Sequence, residues 1–132
     1  MEYERLKEYP KIELHCHLDG SLSPEFIRRR LEREIPVSEL QVSKDCRNLA
    51  EYLEKFEIPL KCLQDREGLS ESGYDFLKNV AEENVKYVEV RFAPLLSQEQ
   101  GLTVSQILEA VLDGLRKGRE EFGVDYNVIV CA

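Results

Sequence analysis

No run of apolar residues approaches the roughly 18 needed to cross a membrane, so the sequence offers no candidate span. It has no CxxC pair: Cys16, Cys46, Cys62 and Cys131 are widely spaced. Cysteines in that pattern, without a secretion signal, are expected as reduced thiols. The opening Met-Glu-Tyr-Glu-Arg lacks the charged-then-apolar layout of a signal peptide, and the expected location is the cytoplasm. Basic charge is in deficit, with 18 Lys and Arg against 26 Asp and Glu, a formal net charge of −8. The densest basic cluster, Arg28 to Arg30, is followed by Glu32 and Glu34. That reads as a solvated helix rather than a phosphate-binding footprint, so neither nucleic acid nor a membrane is expected as a partner. Internal repeats and low-complexity tracts are absent. At 132 residues the chain is too short for a closed (β/α)8 barrel, which needs roughly 250. What remains is a foldable composition, 42% hydrophobic and 33% charged, at a length suited to one domain.

Residues 11–18, Lys-Ile-Glu-Leu-His-Cys-His-Leu, alternate polar and apolar. A period of two predicts a strand with Ile12, Leu14, Cys16 and Leu18 on one face and Lys11, Glu13, His15 and His17 on the other. Asp19-Gly20-Ser21 then supplies turn chemistry. Ser23, Pro24 and Glu25 open a helix as N-cap, first helical residue and dipole complement, with Phe26, Ile27 and Leu31 as its apolar stripe and Pro36 as its bound. Asn48 suits the cap of a second helix, where Leu49, Tyr52, Leu53 and Phe56 recur at helical spacing before Pro59. A third helix is predicted over about 70–84, with Tyr74, Leu77, Val80 and Ala81 inward. Residues 85–93 form a β-branched and aromatic strand stopped by Pro94. Thr103 and Gln106 make a capping box for a helix running to about Phe122, with Ile107, Val111, Leu115 and Phe122 toward the core and Gly123 just past its end. A third strand follows over Tyr126–Cys131.

Strands separated by helices imply a parallel sheet in an α/β fold. Residues 19–84 far exceed a minimal crossover. The surplus is a helical insertion at the C-terminal end of the first strand, where such folds place their sites.

The chemistry concentrates in His15-Cys16-His17-Leu18-Asp19-Gly20. Two histidines at i and i+2 of a strand project from one face, a natural start for a divalent metal site. Such a pair also suits a wet strand face. These are the chain's only histidines, and a catalytic zinc needs at least three protein ligands, so the pair cannot complete a site. On the second strand, Val88, Val90 and Phe92 share one face and Tyr87, Glu89 and Arg91 the other. Glu89 and Arg91 are expected to satisfy each other, or groups on the first strand, as an internal ion pair.

The string Pro10-Lys11-Ile12-Glu13-Leu14-His15-Cys16-His17-Leu18-Asp19-Gly20-Ser21 resembles the opening of the adenosine deaminase family, within the metal-dependent amidohydrolase superfamily. Tyr87-Val88-Glu89-Val90-Arg91-Phe92-Ala93-Pro94 resembles that family's second strand, and Leu115 to Gly123, with Gly114 and Gly118, resembles the helix before its third. The likeness runs over nearly the whole chain, in order.

The resemblance implies a (β/α)8 barrel that hydrolyses the 6-amino group of adenosine to inosine and ammonia. It implies His15 and His17 as zinc ligands, and His17, Asp19 and Gly20 against substrate, with Asp19 accepting from the ribose. Related adenine deaminases tend to carry Glu at the position of Asp19, so Asp19 favours the nucleoside. Leu49, Tyr52, Leu53 and Phe56 match the family's apolar gate, although their spacing equally suits a core stripe. The family's proton-shuttling glutamate and remaining metal ligands lie on later strands, so no catalytic acid or base is assigned here. The expectation is one incomplete domain over 1–132, the N-terminal three strands of the barrel, inactive alone and carrying an incomplete zinc site. Its exposed sheet edges suit self-association or a companion chain. Two alternatives stay open: a non-catalytic, self-associating module, and a related adenine or N6-modified adenine nucleotide deaminase.

Overall fold

A computed structural model describes residues 2–132. The elements run α1 (Tyr3–Glu8), β1 (Lys11–His17), α2 (Pro24–Leu31), α3 (Val37–Leu40), α4 (Leu49–Glu54), α5 (Glu57–Lys61), α6 (Arg66–Glu82), β2 (Val85–Phe92), α7 (Val104–Phe122) and β3 (Asp125–Val130). Short 3-10 turns follow β1 at Asp19–Ser21 and β2 at Pro94–Ser97. The strands form one parallel sheet in the order β1-β2-β3, an open α/β sheet with the strand order expected of three consecutive strands of a TIM (β/α)8 barrel.

Each helix start has a local cause. Ser23 accepts from the Phe26 amide at the head of α2, and Asn48 accepts from the Glu51 amide at the head of α4. Thr103 and Gln106 form the reciprocal capping box of α7, which ends on Gly123 at φ 70°. The third predicted helix differs. It begins at Arg66 rather than near 70, because Asp65 caps it by accepting from the Gly68 amide. The same carboxylate binds Arg30 of α2 at 2.9 Å, so one acid both starts α6 and ties it to the insertion. Three short helices, α1, α3 and α5, lack a periodic stripe long enough to read. Pro59 falls inside α5, in its first turn, where its missing N–H costs nothing.

Helices α6 and α7 pack on each other and cover one face of the sheet. Leu69, Phe76, Leu77, Ile107, Val111 and Leu115 meet Val88, Val90 and Phe92 there. The two helix backbones approach closely at Gly114, where a Cβ would stand 1.7 Å from the Ser70 carbonyl oxygen. Of the predicted inward stripe of α6, Leu77 is fully buried, while Tyr74, Val80 and Ala81 are half-buried.

The opposite face of the sheet has no layer over it, and here one expectation fails. Ile12 and Leu14 are 68% and 56% exposed, while Cys16 is half-buried and Leu18 fully buried. The four do not share a face. Ile12 pairs with Tyr87, but Cys16 pairs with Val90, because β1 takes the three-residue step Glu13–Cys16 to match the two-residue step Val88–Val90. That bulge shifts the phase of the side chains midway along the strand. On β2 the expected division holds: Val88, Val90 and Phe92 are buried and Tyr87, Glu89 and Arg91 are half-exposed.

Candidate functional site

The C-terminal end of β1 is clamped before it turns. The Leu18 amide donates to the Arg91 carbonyl at 2.9 Å, which extends the pairing with β2 one residue past the strand. The buried Leu18 side chain then anchors the Asp19–Ser21 turn. Within the turn the Gly20 amide donates to Asp19 Oδ1 at 3.1 Å, and Cys16 Sγ lies 3.4 Å from Ser21 Oγ. At the bulge, the His15 amide donates to Glu13 Oε1 at 3.2 Å.

This backbone brings the two imidazoles together, with His15 Nε2 3.2 Å from His17 Nε2 and the ring centroids 5.2 Å apart. Two nitrogens sharing one tetrahedral zinc, each at about 2.0–2.1 Å, stand about 3.3 Å apart. The observed separation therefore fits half of such a ligand set. Without a metal, the same spacing is a hydrogen bond in which one ring donates to the other. No group of three or more His, Cys, Asp or Glu is placed to hold a metal among the described residues.

The histidines sit in a cleft of about 560 Å3, also lined by Asp19, Gly20, Tyr52, Leu53, Phe56, Leu60 and Leu96. Asp19 is half-buried at this cleft, where its carboxylate can accept from a ligand hydroxyl. A Cβ on Gly20 would lie 3.1 Å from the Phe56 ring, so the absent side chain is what lets that ring settle over the turn. Tyr52 and Phe56 stand side by side with centroids 5.7 Å apart.

The apolar stripe of α4 is not a core stripe. Leu49, Tyr52 and Leu53 are exposed and Phe56 is half-buried. Three of the four flank the histidines, whereas Leu49 does not line the cleft. Sequence reading missed the two leucines that complete the walls, Leu60 of α5 and Leu96 after β2. Neither carries a chemical signal, and their convergence depends on how the insertion folds back.

The expected ion pair on β2 is absent. Glu89 instead accepts from the Tyr87 hydroxyl at 3.2 Å, and that hydroxyl accepts from Asn127 Nδ2 at 3.1 Å. Arg91 Nε is buried without a hydrogen-bond partner. Tyr87 and Arg91 flank Glu89 at equal spacing along one face, and the neighbouring strand decides the choice. Asn127 of β3 is paired directly with Glu89 in the register and holds the phenol beside it.

The whole arrangement has counterparts among known proteins. The adenosine deaminase family model matches residues 10–132. An adenosine deaminase of Enterococcus faecalis is 44% identical over 140 residues, covering 99% of this chain and 42% of that protein. One of Clostridium botulinum is 42% identical over 134 residues, covering 94% of this chain and 40% of that protein. The chain thus spans about 40% of the length of the curated relatives it matches. Among solved structures, an ADAL–IMP complex superposes with a TM-score of 0.75 at 27% identity, covering 98% of this chain and 42% of that one. Arabidopsis ADAL complexed with GMP gives 0.72 at 28%, covering 96% and 41%. A Burkholderia ambifaria amidohydrolase with bound zinc shares the fold at a TM-score of 0.74 and 19% identity, covering 95% and 36%. No helix among the described residues is long and apolar enough to cross a membrane. With its family model matched from Pro10 to the last residue, the chain belongs to the adenosine deaminase family.

Proposed function

We propose that this chain supplies the N-terminal part of a zinc-dependent deaminase that converts adenosine to inosine and ammonia, as one incomplete domain over 1–132. The observation that carries the reading is the 3.2 Å approach of His15 Nε2 to His17 Nε2 in a cleft that Asp19 also lines. In this reading both imidazoles bind zinc through Nε2 and His17 also borders the purine. A zinc ion held there supplies Lewis acidity to the hydrolysis. The Asp19 carboxylate accepts a hydrogen bond from a ribose hydroxyl, and Gly20 gives the sugar a wall without a side chain. Tyr52, Leu53 and Phe56 cover the base and exclude water, while Leu49 stands outside that contact. With only two histidines in the chain, the remaining ligands and the acid/base group come from another segment or a companion chain, so the chain alone is inactive. The compartment that suits it is the cytoplasm.

A second reading, a purine nucleotide as substrate, is favoured by the IMP and GMP bound in the superposed ADAL structures. The exposed sheet face and edges also support self-association. The test is an adenosine-to-inosine absorbance assay on the purified chain with added zinc, paired with calorimetric zinc titration. No turnover is expected above the His15→Ala, His17→Ala double variant, and weak zinc binding is expected to vanish in that variant. Turnover above the control overturns the incompleteness, and equal zinc binding overturns the ligand assignment.

A further inference from the structure

Gln64 is the one buried side-chain amide of the described residues, only 3% exposed, in the short link between α5 and α6. Its Nε2 donates to the Leu60 carbonyl and to the Leu96 carbonyl, each at 2.9 Å. Its Oε1 accepts from the Glu99 amide at 3.1 Å. Both amide hydrogens and one oxygen lone pair are therefore used. The bonds join two segments far apart in sequence, the end of the insertion and the turn after β2.

The residues so joined are not arbitrary. Leu60 and Leu96 are the two cleft-lining leucines contributed by those segments. An apolar residue at position 64 fills the same space without the cost of burying an amide. What only the planar amide provides is a fixed spacing between two carbonyls. Because each carbonyl belongs to a wall leucine, that spacing sets how far the walls stand apart.

We propose that Gln64 is a positioning residue: its carboxamide clasps the insertion to the loop after β2 and sets the width of the cleft in which the purine lies. The proposal rests on the purine reading of that cleft. Gln64 does not touch the ligand and acts through Leu60 and Leu96. Apolar walls contact ground state and transition state alike, so loosening them raises KM and leaves kcat nearly unchanged.

Two arms test this with Gln64→Met, which keeps the length and removes all three bonds. In the first, hydrogen exchange is followed by mass spectrometry on the 132-residue chain. Residues 57–63 and 93–101 are expected to exchange about tenfold faster, with residues 104–130 unchanged. In the second, adenosine turnover is measured in the competent protein, either a longer polypeptide or this chain with a complementary one. KM is expected to rise about fivefold and kcat to change less than about twofold. Unchanged exchange overturns the clasp, and a parallel fall in stability and kcat without a KM effect overturns the positioning role. If Gln64→Met does not fold, Gln64→Glu replaces it. That variant keeps the acceptor for Glu99 but sets a carboxylate against two carbonyls, so the same two segments are expected to loosen. If the unsubstituted protein does not turn over adenosine, the purine reading fails, and the exchange arm alone decides whether the clasp exists.

Discussion

Replacing Gly114 by alanine sets two helix effects against each other. Alanine in a helix interior is favoured over glycine by about 1 kcal/mol, so on propensity alone the variant is stabilised. The packing says otherwise. The new Cβ would lie 1.7 Å from the Ser70 carbonyl oxygen, 2.6 Å from its carbon and 3.0 Å from its Cα. A carbon–oxygen contact settles at about 3.3 Å or more, so α6 and α7 must part locally by roughly 1.5 Å. All three obstacles are backbone atoms, so no rotamer change relieves them. Overpacking of this kind costs about 1–3 kcal/mol, and the parting also loosens the buried contacts of Leu69, Ile107 and Leu115. Net destabilisation of about 2 kcal/mol is expected after the propensity gain. With a urea m-value of about 1–3 kcal/mol/M, the midpoint falls by about 1 M. Urea titration followed by far-ultraviolet circular dichroism reads this directly. Gly118→Ala is the comparison, since its Cβ would stand 3.0 Å from the Cβ of the buried Leu77, with side-chain rather than backbone atoms nearest to it, so a smaller loss than that of Gly114→Ala is expected. A Gly114→Ala midpoint at or above that of the unsubstituted protein, or equal losses in both variants, would refute the close-approach argument.

Three further outcomes follow from local chemistry. Burial pushes the Cys62 thiol up to about 11, so it should alkylate more slowly at pH 8 than Cys16, Cys46 or Cys131, as peptide mass spectrometry after iodoacetamide will read. In the unfolded chain a cysteine ionises near pH 8.5. The folded state therefore holds the extra proton between about pH 8.5 and 11, and the stability from Cys62, full below that window, declines as pH rises through it. Ser23 caps α2 and also donates to the Asp75 carboxylate at 3.1–3.2 Å. Ser23→Ala should cost about 1 kcal/mol, seen as a lower urea midpoint, and an unchanged midpoint would mean that the cap contributes nothing.

Much of this molecule is legible residue by residue, because it depends on short-range rules. The strand at 85–92 shows in its β-branched residues, the heads of α2, α4 and α7 in Ser23, Asn48 and Thr103, and the end of α7 in Gly123. The histidine pair shows in the same way, since i and i+2 of a strand share a face wherever the alternation between them is unbroken. The opening motif also carries its family resemblance without any coordinates.

What the tertiary structure decided is everything that depends on which segments meet. The bulge between Glu13 and Cys16 arises from pairing with β2, so no period count along β1 reveals that Ile12 and Cys16 part company. The Asp65 carboxylate that caps α6 also binds Arg30 of α2, a partner that no local rule along the chain names. Glu89 bonds Tyr87 rather than Arg91 because Asn127 lies beside it on β3. The cleft walls at Leu60 and Leu96 converge through Gln64, whose bonding partners lie up to 35 residues away. The sequence by itself determined the strands, the caps at Ser23, Asn48 and Thr103 and the paired imidazoles, since those are set by neighbours along the chain. Only tertiary structure decided the register, the polar partners and the cleft, since those are set by neighbours in space.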